Sequence, residues 1–365
     1  MRVAVIGGGI NGIMSAWSLA SIGHEVTLFE KGDLMSETSS KSTKLLHGGL
    51  RYLEHGELRL VREALRERIW WIEHAPQLAR PIELVLPLYS WSPSPAWKLH
   101  VGLTIYDWLA GKRNLGLHQW HGREELLRVC PELKPDGLLG GFTFHDGQMD
   151  DRALGLWAAG MASAAGVNIH KHTPVERVSC EGTLQAGGEV QAYDAIVNVA
   201  GPWAKQLLDR SGVRTRYDLD LVRGSHILLN RQVSKGFLVE VQGEERICFV
   251  LPYAGKTLIG TTEVRQDISE PIICSDAERE YLMNVYNRGF FPAIRSADIC
   301  GEFAGVRPLI RSKANPTRES REFAIERQGK LVSVFGGKWT TAHALGNQIA
   351  EVVGKIHAGP QHYWR

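Results

Sequence analysis

Gly7, Gly9 and Gly12 interrupt a chain that is otherwise apolar over its first two dozen residues, and their spacing constrains the fold more than any other feature. Before them, residues 2–6 (Arg-Val-Ala-Val-Ile) read as a short buried strand. After them, residues 10–22 carry helical spacing through Ile13, Ala16, Trp17 and Ala20, and residues 25–30 form a second strand ending in Glu30. Strand, turn, helix and strand within about 30 residues make a βαβ unit. In G-x-G-x-x-G the first glycine permits the tight turn, the second lets backbone approach a pyrophosphate, and the third lets helix and strand pack closely. The helix start at Ile10 and Asn11 then offers unpaired N–H groups and the positive end of its dipole to phosphates. Glu30 lies 18 residues after Gly12, where a carboxylate accepts both ribose hydroxyls and repels a 2′-phosphate. The pattern predicts a dinucleotide site without separating NAD from FAD.

Two further turns favour FAD. Residues 198–203 (Asn-Val-Ala-Gly-Pro-Trp) end an apolar strand, 194–200, in small residues that let backbone pass close to a cofactor. Residues 335–341 (Phe-Gly-Gly-Lys-Trp-Thr-Thr) follow the apolar strand 331–335 and open a helix over 339–356. A helix N-terminus and Lys338 there would stabilise negative charge collecting at the N1–C2=O edge of a reduced flavin.

The chain has 365 residues, 44% hydrophobic and 22% charged, with a net charge of +2. That length suits more than one compact unit. The balance gives no argument for nucleic acid, which needs a concentrated basic face. Cys130, Cys180, Cys248, Cys274 and Cys300 are odd in number and form no C-x-x-C pair, so neither a disulfide framework nor a zinc site is expected, and a reducing cytoplasm fits. Cys274 and Cys300 are read as buried small hydrophobes rather than reactive thiols. The glycines and Asn11 argue against a signal peptide, and no run of about 20 apolar residues predicts a membrane span.

Further along, 32–49 reads as a Ser/Thr/Gly-rich loop, and 57–77 as a helix of alternating charge in which Trp70 and Trp71 are packing residues. Pro81, Pro87, Pro93 and Pro95 are taken to mark a crossing into another region. Helices are expected over 98–110, 151–166 and 277–290, with strand-like segments such as 226–229 and 247–251 between the last two. Residues 97–113, aromatic, apolar and basic at both ends, are expected to be a packed helix; the other reading is a segment lying on a membrane surface near a quinone. Nucleotide-domain strands at both chain ends and in the middle imply interleaved domains: 1–80, 140–212 and 305–365 for the cofactor, 81–139 and 213–304 for the substrate.

Residues 39–54 (Ser-Ser-Lys-Ser-Thr-Lys-Leu-Leu-His-Gly-Gly-Leu-Arg-Tyr-Leu-Glu) closely resemble the signature loop of FAD-dependent glycerol-3-phosphate dehydrogenases. Further matches follow in order at 60–65, 150–152, 201–203, 223–226, 260–263, 281–287, 305–309 and 335–338, so the likeness spans nearly the whole chain. The resemblance implies an α/β fold with an FAD-binding Rossmann-like domain of the glutathione-reductase/D-amino-acid-oxidase type and an interleaved α+β substrate domain. It implies oxidation of sn-glycerol 3-phosphate to dihydroxyacetone phosphate, with hydride passing from C2 to flavin N5 and electrons leaving to a quinone or another acceptor. It places Arg51, Tyr52, His226, Arg307, Lys338 and Thr340 in the substrate pocket, with Arg321 as a second phosphate arginine. Cofactor contacts are implied at Gly7, Gly9, Ile10, Asn11, Gly12, Glu30, Lys31, Ser39, Ser42, Thr43, His47, Gly48, Gly49, Val175, Ala200, Gly201, Trp203, Gly305, Gly336, Gly337, Lys338, Trp339 and Thr340. No metal is expected.

These residue types suit the chemistry. Two arginines offer planar, bidentate donors to a phosphate dianion. His226 is the expected base for the C2 hydroxyl proton, with Arg51 or a water as alternatives. Tyr52 is expected to orient the substrate. His47 is near where some flavoenzymes of this fold hold the flavin covalently, but noncovalent binding is expected.

The chain departs from the family in two ways. The sequence is read as a short form expected to lack the family's C-terminal helical domain, and it carries Glu263 where an aspartate is usual in the G-T-T-D segment. Two other functions therefore stay open: a flavin oxidase or dehydrogenase of a 2-hydroxy acid or amine on the same scaffold, and a partner-dependent flavin subunit. A cytoplasmic location is expected, with peripheral contact on the inner face of the membrane as the alternative.

Overall fold

The computed structural model describes residues 1–311 and 323–358. Strand β1 (Arg2–Ile6), helix α1 (Ile10–Ser21) and strand β2 (Glu25–Phe29) form the expected unit, with β1 and β2 parallel and Ile6 opposite Phe29. They belong to a six-stranded sheet in the order 323–328, 331–336, 195–198, β1, β2, 168–170. Within it only Phe323–Gln328 pairs antiparallel. Val3, Ala4 and Val5 are fully buried, as a central parallel strand covered on both faces requires. One face packs on α1 and the helix Ala342–Gly354 through Ile13, Met14, Leu345 and Ile349. These helices cross so closely that a Cβ on Gly346 would lie 2.7 Å from the Met14 carbonyl oxygen. The other face, with Ala4, Ile6 and Ile196, packs on a three-stranded antiparallel sheet over 175–192.

A second, larger sheet is built around the long strands Ala79–Tyr89, Leu138–Met149, Leu219–Leu229 and Ile299–Ile310. The sequence boundaries at 140 and 305 fall inside two of these. The prolines taken as a crossing are partly strand: Pro81 and Pro87 sit within Ala79–Tyr89, opposite Gly147 and Gly141. That strand has a neighbour on its other edge only at Leu84 and Val85, so each proline's missing N–H falls where one side needs no donor. Of the cysteines, Cys274 is buried as expected, whereas Cys300 is exposed.

Between the sheets runs the loop that the resemblance rests on. It is anchored by helix α2 (Leu58–His74) and helix α3 (Ala96–Ala110). Arg68, fully buried on α2, donates to Asp146 Oδ1 at 2.8 Å and to the His145 carbonyl at 2.9 Å. Tyr106 of α3 donates its hydroxyl to the same carboxylate at 2.8 Å and accepts the Gly48 N–H at 2.8 Å. Burial raises the Asp146 pKa, and the neighbouring Arg68 charge and the hydrogen bonds oppose that rise. Removing one partner of such a pair strands a charge in the interior. Arg68→Met is therefore expected to lower unfolding free energy by about 3–5 kcal/mol in urea titration, a larger effect than replacing both Arg68 and Asp146 with apolar residues.

Candidate active site

A cavity of about 770 Å³ is lined by residues of both sheets, with Ile6 on one side and Phe144, Leu238 and Phe249 on the other. The glycine turn forms one end. Gly7 adopts φ +116°, which a side chain would strain, and a Cβ on Gly12 would lie 1.9 Å from the Gly7 carbonyl oxygen. Gly7, Gly9, Ile10 and Asn11 line the cavity; Gly12 does not, because its role is the close helix–strand approach. Glu30 lines it too and accepts Gly8 N–H at 2.6 Å and Gly32 N–H at 2.8 Å, which fixes the carboxylate at the strand end. Lys31 stands over the Trp203 ring, its Nζ 3.3 Å from the centroid, and both line this end with Val175, Ala200 and Gly201.

The loop links the glycine turn to the turn that carries Trp339. Ser39 Oγ accepts the Ile10 N–H at 3.0 Å at the start of α1, and the Ser39 carbonyl accepts Trp339 Nε1–H at 2.9 Å. Ser42 donates to Asp151 at 2.7 Å, and the buried Lys44 ammonium meets the same carboxylate at 2.7 Å. Ser39, Ser42, Thr43, His47 and Gly49 line the cavity. Gly48 does not; it holds the loop to Tyr106 from behind.

Arg51, Tyr52, Gly305, Arg307, Gly336, Gly337, Lys338, Trp339 and Thr340 line the cavity from three separate parts of the chain, and Gly337 lies against Asn11 of the glycine turn. Lys338 Nζ stands 3.8 Å from the centre of the Tyr52 ring. Arg51 donates to the Glu245 carbonyl at 2.7 Å. Arg307 Nη2 donates to Thr261 Oγ1 at 2.9 Å. Trp71, fully buried, fixes the last turn by donating to the Thr340 carbonyl at 3.0 Å and packing on Trp339. Arg321 lies outside the described residues.

His226 is brought against Thr43 of the cavity wall but does not itself line the cavity. It is buried, stacked on Phe303 with ring centroids 4.8 Å apart, and its Nε2 is 3.0 Å from Thr43 Oγ1. Its Nδ1 has no hydrogen-bond partner among the described residues. Burial, with help from the Arg307 and Lys44 charges, holds its pKa well below 6.5. The ring is thus neutral at ordinary pH, with Thr43 between it and the cavity.

Sequence reasoning missed Asp146 and its support. Arg68, Tyr106, Asp146 and Gly48 are spread over some hundred residues, and no local spacing ties them together. Glu263, which lines the cavity beside Arg307, was noticed only as a departure from a motif. Among the described residues no group of side chains could hold a metal.

The FAD-dependent oxidoreductase family model matches residues 2–352. The chain belongs to this family. It is 38% identical to D-erythritol 1-phosphate dehydrogenase of Brucella abortus, over 93% of this chain and 71% of that one. It is 35% identical to aerobic glycerol-3-phosphate dehydrogenase of Escherichia coli, over 99% of this chain and 74% of that one. Among solved structures, glycerol-3-phosphate dehydrogenase of Bacillus halodurans complexed with FAD superposes with a TM-score of 0.77 at 25% identity. That match covers 98% of this chain and 65% of the other, so this chain spans under two thirds of its length. The fold is accordingly the FAD-binding α/β fold of the family, FAD is the cofactor, and the protein is an oxidoreductase. The glycine cradle fits such a dinucleotide, since a Cβ at Gly7 or Gly12 would collide with backbone.

Two outcomes follow. Gly12→Ala is expected to abolish FAD retention through gel filtration, read from flavin absorbance per chain. Because His226 has a depressed folded-state pKa, the unfolded chain binds an extra proton below about pH 6.5. The site's contribution to stability is complete above that pH and declines as pH falls. His226→Gln should flatten this decline in denaturant titrations run between about pH 7 and 5.

Proposed function

We propose that the protein oxidises the secondary alcohol of a small polyol phosphate, with sn-glycerol 3-phosphate as the first candidate, to the corresponding ketone. The observation that supports this reading is that Arg307, Arg51, Tyr52 and Lys338 line the same cavity as the dinucleotide turn, with the Lys338 ammonium 3.8 Å from the centre of the Tyr52 ring. D-Erythritol 1-phosphate, named for the Brucella relative, is the second candidate of the same class.

Arg307 presents a planar donor set to a phosphate, and Arg321 is proposed as its companion. FAD when bound supplies the hydride acceptor. Thr43, at the cavity wall, takes the hydroxyl proton and relays one to Nε2 of His226, which burial keeps unprotonated. Lys338 holds positive charge where the helix Ala342–Gly354 begins, and Tyr52 beneath it fixes the ammonium.

The test is anaerobic mixing of flavin-loaded protein with sn-glycerol 3-phosphate, erythritol 1-phosphate, glycerol and 2-hydroxyglutarate. Bleaching by a polyol phosphate and not by the others is expected. Bleaching by 2-hydroxyglutarate alone would transfer the protein to hydroxy-acid oxidation. Arg307→Ala should raise KM for the phosphate substrate about a hundredfold while FAD stays bound.

For the electron acceptor we propose a quinone met at a membrane surface. Trp97, Val101 and Trp108, which share one face of α3, are 70%, 49% and 74% exposed, and Leu117 and Trp120 are also exposed. Lys112 and Arg113 follow at the helix end. α3 packs against the turn Leu50–His55 that carries Arg51 and Tyr52. Among the described residues no helix is long and apolar enough to cross a membrane, so contact would be interfacial, through aromatic rings beside basic groups. The double variant Trp97→Ser, Trp108→Ser should lose co-sedimentation with anionic vesicles and keep flavin bleaching by substrate.

A further inference from the structure

Glu263 stands out among the charges of the cavity. Its side chain is only 12% exposed, it lines the cavity, and two guanidinium groups flank it. Arg307 Nη1 is 3.9 Å from Oε1, and Arg246 Nε is 3.8 Å from Oε2. Both arginines are themselves fixed on the preceding turn: Arg307 by the Thr261 hydroxyl at 2.9 Å, Arg246 by the Thr261 carbonyl at 3.1 Å. Thr262 is fixed in turn, donating to the buried Glu278 at 2.6 Å. The carboxylate is therefore held in place by a rigid wall. A second carboxylate, Glu57, lines the same cavity, and its Oε2 is buried with no hydrogen-bond donor among the described residues.

A carboxylate only accepts hydrogen bonds, and a hydroxyl can donate one. A phosphate taken by Arg307 brings the adjoining carbons within reach of Glu263, because the two side chains touch. Hydroxyls on those carbons meet an acceptor. A carboxylate there meets a like charge in a half-enclosed cavity, where water screens poorly.

We propose that Glu263 is a specificity-determining residue that admits polyol phosphates and rejects phosphorylated hydroxy acids. This rests on the reading of Arg307 as a phosphate ligand. It assigns the residue a selective role, separate from binding the phosphate and from proton removal.

Two probes that differ only at one end test it: 2-hydroxyethyl phosphate, ending in CH2OH, and 2-phosphoglycolate, ending in a carboxylate. Their affinities for the flavin-loaded protein are read by calorimetry and by perturbation of the flavin spectrum, beside inorganic phosphate. The protein is expected to prefer the alcohol by about tenfold or more, Glu263→Gln to shrink that preference to about threefold or less, and Glu263→Asp to keep it. Inorganic phosphate should bind Glu263→Gln at least as tightly as the protein, since the variant removes a like charge beside Arg307, and should lose affinity in Arg307→Ala. An unchanged preference in Glu263→Gln, with phosphate binding dependent on Arg307, would overturn the role of Glu263 alone. Phosphate binding that ignores Arg307 would overturn the phosphate reading and this inference with it.

Discussion

The buried contact between Arg68 and Asp146 is the constraint on which the site depends. The loop that carries His47, Arg51 and Tyr52 lines the cavity between the two sheets and is held from behind by side chains of other elements. Asp146 belongs to the larger sheet, Arg68 to α2 and Tyr106 to α3, and the Gly48 N–H ends the chain of bonds. A similar buried link, Lys44 to Asp151, fixes the preceding stretch to the helix Asp151–Ala164. Together they place His47, Arg51 and Tyr52 without using any of them. A fully apolar filling of the same volume would pack equally well, but it would leave the loop without directional partners.

Much of the cofactor end was legible from sequence because its physics is local. A glycine turn between a strand and a helix, with an acid one strand later, carries its meaning in spacing alone, and Gly7 to Glu30 fold accordingly. The two later turns, 198–203 and 335–341, were readable for the same reason, since each ends a buried strand in small residues. The larger sheet was only partly readable. Its strands hold prolines where a neighbour is missing on one edge, a condition that appears only when the pairing is known.

The residues proposed to bind substrate were legible as a set and not as an arrangement. His226 sits behind Thr43 rather than at the cavity surface, because the stacked Phe303 ring and the loop enclose it. Motif likeness conveys which residues occur together, and it is silent on which of them faces the cavity. Glu263 shows the reverse case. One added methylene relative to the usual aspartate looked minor in sequence, yet it is the group that meets Arg307.

The cavity draws its walls from parts of the chain as far apart as Gly7, Glu30, Tyr52, Val175, Trp203, Arg307 and Thr340. A bound dinucleotide therefore acts as a crosslink between distant parts of the chain, and its binding free energy adds to folding free energy by mass action. Occupancy and conformational stability become a single quantity. In a cell, the amount of this enzyme that survives quality control would rise and fall with flavin supply, before any question of catalysis arises.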